Sequence, residues 1–110
     1  MSPPSLDELL SKAREAQTKL QSLQRELAVR RVEGAAGGGM VTAVVTGDFR
    51  VLEIRIEPSL LESGDRDMIQ DLTAAAVNAA LASAQRMVQE EMQRAGAGLA
   101  LPNLADNGST

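Results

Sequence analysis

Seven apolar residues near the N-terminus, Leu6, Leu9, Ala13, Ala16, Leu20, Leu23 and Leu27, are spaced 3, 4, 3, 4, 3, 4. That is the a/d seam of three heptads, and no Gly or Pro falls between Leu6 and Leu27. The spacing predicts a helix over residues 5–27 with one narrow apolar stripe. Ser5 suits its N-cap, and Asp7 and Glu8 place negative charge at the positive end of the helix dipole. Glu15 and Lys19 stand four apart in the favourable order for an ion pair. A seam this narrow is buried only by packing along another helix.

Beyond Leu27 the period changes from 3.5 to 2. Residues 28–35 are β-capable, and the glycine-rich run Gly34-Ala35-Ala36-Gly37-Gly38-Gly39 cannot hold a helix cheaply and reads as a turn or hairpin connection. Residues 40–46 are rich in β-branched side chains. Gly47-Asp48 is a turn signal of the glycine-first type. Residues 50–57 alternate, with Leu52, Ile54 and Ile56 on one side and Glu53, Arg55 and Glu57 on the other, until Pro58 ends the strand. The expectation is a three-stranded antiparallel meander with one buried face. Ser59 to Gly64 connects it, with a short helical turn at Ser59-Leu60-Leu61, to a second helix over residues 65–95. That helix starts with Asp65, Asp67 and Asp71, and is expected to stop at Gly96 and Gly98. Its inner face is read as Ile69, Leu72, Ala76, Ala79, Ala80 and Met87, and its many alanines permit close approach of another element. Residues 96–110 read as a disordered tail.

The order is helix, three strands, helix: an α+β chain with an α-β-β-β-α subunit, one domain over residues 1–95. Helices of roughly 22 and 30 residues are about 33 and 45 Å long at 1.5 Å per residue. A strand of seven residues spans only about 25 Å. Both helices must therefore project beyond the sheet, and an apolar seam projecting into water is unstable alone. A homodimer resolves this, with Leu6, Leu9, Leu20, Leu23 and Leu27 on the first helix and Leu52, Ile54 and Ile56 on the third strand as its candidate packing residues.

Composition narrows the function. The 110 residues contain no Cys and no His, which removes disulfides, thiolate metal sites, the usual neutral-pH general base and the commonest metal ligand. No metal and no cofactor is expected. Ser59, Ser63 and Ser83 have no His to activate them, the Gly34–Gly39 run lacks a following Lys-Ser/Thr and leads into a strand, and Asp65-x-Asp67 has none of the other ligands of a calcium loop. An enzyme is not the expectation. The N-terminus has no signal-peptide pattern, and the longest apolar run, Ala74 to Val77, falls far short of a membrane span, so a cytoplasmic protein is expected. Phe49 is the sole aromatic residue, too few for base stacking on single strands. The net charge is −4, yet residues 9–31 hold six cations against two acids, a local +4. Such asymmetry points to a polyanion as partner.

The run Glu33 to Val41, then Gly47, then Ile54-Arg55-Ile56-Glu57-Pro58-Ser59-Leu60-Leu61, resembles the centre of the YbaB/EbfC family. So does Asp65 followed by Ile69-Gln70-Asp71-Leu72 and by Ala75-Ala76-Val77-Asn78-Ala79-Ala80. The resemblance covers residues 5–95. It implies a bacterial nucleoid-associated protein that dimerises through its centre and projects its helices like tweezers around double-stranded DNA. Contact would then be phosphate neutralisation by Lys12, Arg14, Lys19 and Arg25 on the first helix, joined by Arg86 and Arg94 on the second. Lys12 and Lys19 are seven apart and share a line beside the seam. No pair suggests base readout. The competing reading is a prefoldin-like or adaptor module that grips protein, for which exposed Met68, Met87 and Met92 would speak, and against which stands an a/d stripe on only one helix.

Overall fold

The computed structural model describes residues 3–98. The elements are α1 (Leu6–Val29), β1 (Arg31–Ala36), β2 (Val41–Thr46), β3 (Val51–Ile56), α2 (Pro58–Ser63) and α3 (Arg66–Gly98). The class is α+β, a helix followed by a three-stranded antiparallel sheet of order β1-β2-β3 and then helices.

Two boundaries differ from those the sequence pattern predicts. Helix α1 runs through Val29 and β1 begins only at Arg31. The reason is a bonded joint: the Gly47 amide donates to the Arg30 carbonyl at 3.1 Å and the Asp48 amide to the Ala28 carbonyl at 3.3 Å. These bonds occupy carbonyls that a helix end leaves without partners. At the other end, α3 continues through Gly96 to Gly98, past the stop that these glycines predict. The rest of the tail expectation, residues 99–110, lies outside the described residues. The connection after β3 is a helix of its own, closed by Gly64 in the left-handed region (φ 70°). Both long helices are capped by side chains: the Ser5 hydroxyl accepts from the Glu8 amide (3.2 Å) and the Asp65 carboxylate from the Met68 amide (3.0 Å).

The core is a thin layer of small residues. Val41, Ala43 and Val45 of β2 meet Ala76, Ala80 and Ala84 of α3, and Leu60 of α2 closes one end. Gly34 of β1 belongs to this contact, because a Cβ there would run into the Ala80 backbone of α3. A glycine in mid-strand costs some stability, but it lets α3 sit directly on the sheet. Gly37, Gly38 and Gly39 form the β1–β2 turn, all with positive φ (64°, 67° and 94°). The β2–β3 turn corrects the glycine-first expectation: the left-handed residue is Phe49 (φ 65°), not Gly47. Glycine is required at position 47 for another reason, since a side chain there would collide with the Leu27 carbonyl of α1.

Helix α3 lies over β1 and β2 but not over β3. Val51, Leu52 (49% exposed) and Ile54 (36% exposed) therefore stay open on the free edge of the sheet, and only Ile56 is half-buried. Among the described residues no helix lies on the opposite face of the sheet. There Glu33 and Glu53 flank Val44 in register, and Arg55 bridges them by ion pairs of 2.5 and 3.1 Å. Arg31 reaches Glu53 at 3.4 Å. These long side chains cover Val44, which is buried although it points away from the core.

Candidate nucleic-acid interface

The seam of α1 is buried unevenly. Leu27 is 1% exposed and its neighbours Leu20 and Leu23 are half-buried, whereas Leu6 (71%), Leu9 and Leu10 lie open to solvent. Leu27 fits into a crevice formed with Gln24, Ala28, Gly47, Val88 and Met92. Helix α1 is thus rooted at its C-terminal end and leaves the body at its N-terminal end. The root is reinforced by Arg30, which pairs with Glu26 at 3.0 Å, reaches Glu91 of α3 at 3.7 Å and lies 3.9 Å from the Met87 sulfur. Sequence reasoning missed this joint. Its one signal is that Arg30 stands where the 3,4 spacing of the seam would continue after Leu27.

The six candidate cations separate into two groups. Lys12, Arg14, Lys19 and Arg25 are all exposed on α1, and among the described residues none of them makes an ion pair within 4.0 Å. That includes Glu15 and Lys19, whose expected pair does not form. Arg86 and Arg94 are exposed on α3, but Arg94 is held by Glu91 at 2.9 Å and Arg86 approaches the Ser83 hydroxyl at 3.3 Å. The α1 cations are free to meet an external anion; Arg94 must first exchange its carboxylate. Nor do the four α1 cations share a side. At about 100° per residue, Lys12 and Lys19 lie on one flank of the seam, with Arg14 and Arg25 roughly 140–160° around the helix from Lys12.

Arg55 is tied into the sheet by Glu33 and Glu53. Its hydrogen bond to Glu33, then the charge of Glu33 and that of Glu53, hold its guanidinium above the ordinary arginine value. It is engaged on the sheet and is a poor candidate for phosphate. Of the methionines, Met68 is exposed, while Met87 and Met92 are half-buried at the α1–α3 joint. That joint is also where α1 meets α3, so the two helices lack the long paired seam of a prefoldin-type coiled coil. Among the described residues no cluster of His, Cys, Asp or Glu is placed to hold a metal, and no helix is long and apolar enough to cross a membrane.

Helix α1 is thus rooted beside a small sheet and extends beyond it, and its four candidate cations are exposed and unpaired among the described residues. The chain belongs to the YbaB/EbfC DNA-binding family, whose model matches residues 2–99. It is 41% identical over 102 residues to the nucleoid-associated protein CT0805 of Chlorobaculum tepidum, covering 93% of this chain and 90% of that protein. It is 36% identical over 101 residues to the nucleoid-associated protein DP1429 of Desulfotalea psychrophila, covering 92% and 95%. The crystal structure of an uncharacterized protein, HP0035, from Helicobacter pylori has the same fold, with a TM-score of 0.65 at 18% identity over 84% of this chain and 97% of that one.

Proposed function

We propose that this protein is a nucleoid-associated DNA-binding protein that works as a homodimer in the bacterial cytoplasm and holds double-stranded DNA by its phosphate backbone. Membership of a DNA-binding family supplies the ligand class and separates the chain from enzymes. The observation that carries the mode of binding is the set of exposed cations on α1, Lys12, Arg14, Lys19 and Arg25, unpaired among the described residues. Lys12 and Lys19, about 10 Å apart on one flank, are the primary phosphate contacts; Arg14 and Arg25 contribute from the other side, and Arg86 and Arg94 from α3. Contacts of this kind position a duplex without reading its sequence, so affinity depends on salt and shape rather than on bases. A homodimer presents two such prongs and gives the open apolar residues of α1 and β3 a partner.

Anisotropy of a labelled 30-base-pair duplex, titrated at several salt concentrations, tests this. The expected log–log slope is about −0.9 per phosphate contacted. Charge reversal at both Lys12 and Lys19 flattens that slope by about two contacts. Absence of binding at low salt by a confirmed dimer would refute the backbone reading and turn the search to a protein partner of the prongs.

A further inference from the structure

We propose that Met87 is an oxidation site whose sulfoxide works as a latch: the new oxygen accepts a hydrogen bond from Arg30 and fastens the root of α1 to α3. The inference stands apart from the DNA reading, since it concerns the joint that directs α1 whatever α1 meets.

Three observations point to this side chain. The first is chemical. The chain has five methionines but no Cys, His, Trp or Tyr, so the thioether is the group here that a hydroperoxide readily oxidises. The second is position. Met87 is half-buried on α3, its methyl carbon 3.4 Å from where a Cβ on Gly47 would stand and its sulfur 3.9 Å from Arg30 Nη1. Gly47 and Arg30 are also bonded to each other, the Gly47 amide donating to the Arg30 carbonyl. Met87 therefore lies against both sides of the joint between α1 and the β2–β3 turn. Met68 is more exposed, but it stands in the first turn of α3, far along the helix from this joint.

The third observation is an underused donor. Arg30 Nη2 bonds Glu26 at 3.0 Å. Among the described residues Nη1 has Glu91 at 3.7 Å, beyond a normal hydrogen bond, and the Met87 thioether, a weak acceptor. A sulfoxide oxygen changes this. An S–O bond of about 1.5 Å and a hydrogen bond of about 2.8 Å, bent at the oxygen, together span close to the 3.9 Å between the sulfur and Nη1. In one of the two sulfoxide epimers the oxygen thus reaches Arg30 without any shift of the backbone.

Hydrogen peroxide is sufficient as the oxidant. The sulfur lone pair attacks one peroxide oxygen, and the S–O bond forms as the O–O bond breaks. The proton on the transferred oxygen passes to the departing one, which leaves as water. Sulfur loses the two electrons that the peroxide gains. Enzymes that reduce methionine sulfoxide reverse the change, so the latch can be released.

The test is peroxide treatment of the full chain, with oxygen uptake mapped by mass spectrometry and exchange of the Gly47 and Asp48 amides followed by NMR. Those amides donate to the Arg30 and Ala28 carbonyls and so report the joint directly. Met87→Leu, which roughly keeps the volume, is treated alongside, so that oxygen added at the other methionines cancels. Oxidation should slow both amides about tenfold more in the wild type than in Met87→Leu, as one added hydrogen bond from a charged donor implies. A methionine sulfoxide reductase should restore the original rate. Arg30→Met, which keeps an apolar stem without the donor, should lose the slowing while Met87 still takes up oxygen. Exchange that is unchanged or faster after oxidation overturns the latch, as does slowing that persists in Arg30→Met. Failure of Met87 to gain oxygen under conditions that convert Met68 overturns the site itself.

Discussion

The two ends of this molecule are stabilised differently. At the sheet end, backbone lies almost on backbone: Gly34 meets Ala80, and Val41, Ala43 and Val45 interlock with Ala76 and Ala84. At the α1 end, a 24-residue helix is anchored by Leu27, by Arg30 and by two backbone bonds to the β2–β3 turn, with Leu20 and Leu23 half-buried and the N-terminal part solvated. The first region can change little without unfolding. The second can change its surface freely while keeping its shape, which is what a surface that meets a charged polymer requires. Stability and the candidate ligand contacts are thus held by separate residues.

Substitutions should separate the ends by size of effect. Gly34→Val drives a branched side chain into the α3 backbone, and the expected loss is about 3 kcal/mol or more by chemical denaturation; a loss below about 1 kcal/mol would mean that α3 can lift off the sheet. Leu27→Ala empties the crevice at the joint and should cost about 2–4 kcal/mol, with DNA affinity falling alongside as α1 loses its fixed direction. If affinity held while stability dropped, the orientation of α1 would be irrelevant to binding.

The two caps allow a closer comparison. Asp65→Ala removes the cap of a helix that packs on the core and should cost about 1 kcal/mol. Ser5→Ala removes the same kind of bond at the free end of α1, and global stability should move by less than about 0.5 kcal/mol, the loss appearing as faster amide exchange in the first turn. Equal global effects would show that α1 folds as one unit with the body. The smallest effect on stability and the largest on function belong to one variant: Lys12→Glu with Lys19→Glu should change unfolding by no more than about 0.5 kcal/mol and reduce the salt slope of DNA binding by about two units.

Elements governed by a local rule are legible in the amino-acid sequence alone. The 3,4 spacing marks α1, the β-branched run marks β2, and Ser5 and Asp65 mark two helix starts; the cations of α1 stand out because they are concentrated in one segment of an acidic chain. Where a distant residue intervenes, local rules mislead. Gly47 looks like a hairpin glycine, yet its requirement comes from the Leu27 carbonyl, and the left-handed position passes to Phe49. The expected Glu15–Lys19 pair does not form, consistent with the small energy of an exposed pair set against two mobile side chains.

Sequence by itself determined the order of elements and the segment that carries positive charge, because these follow from periodicity, backbone propensity and composition within short windows; the family was legible only as a resemblance carried by runs such as Ile54 to Leu61. Only the tertiary structure decided which part of the seam is buried and that α3 covers β1 and β2 while leaving β3 bare. Those outcomes depend on how closely α3 can approach the sheet, a distance set by the missing Cβ of Gly34 against Ala80, residues 46 positions apart in the chain. No local pattern contains that contact, since it exists only once the two surfaces have met.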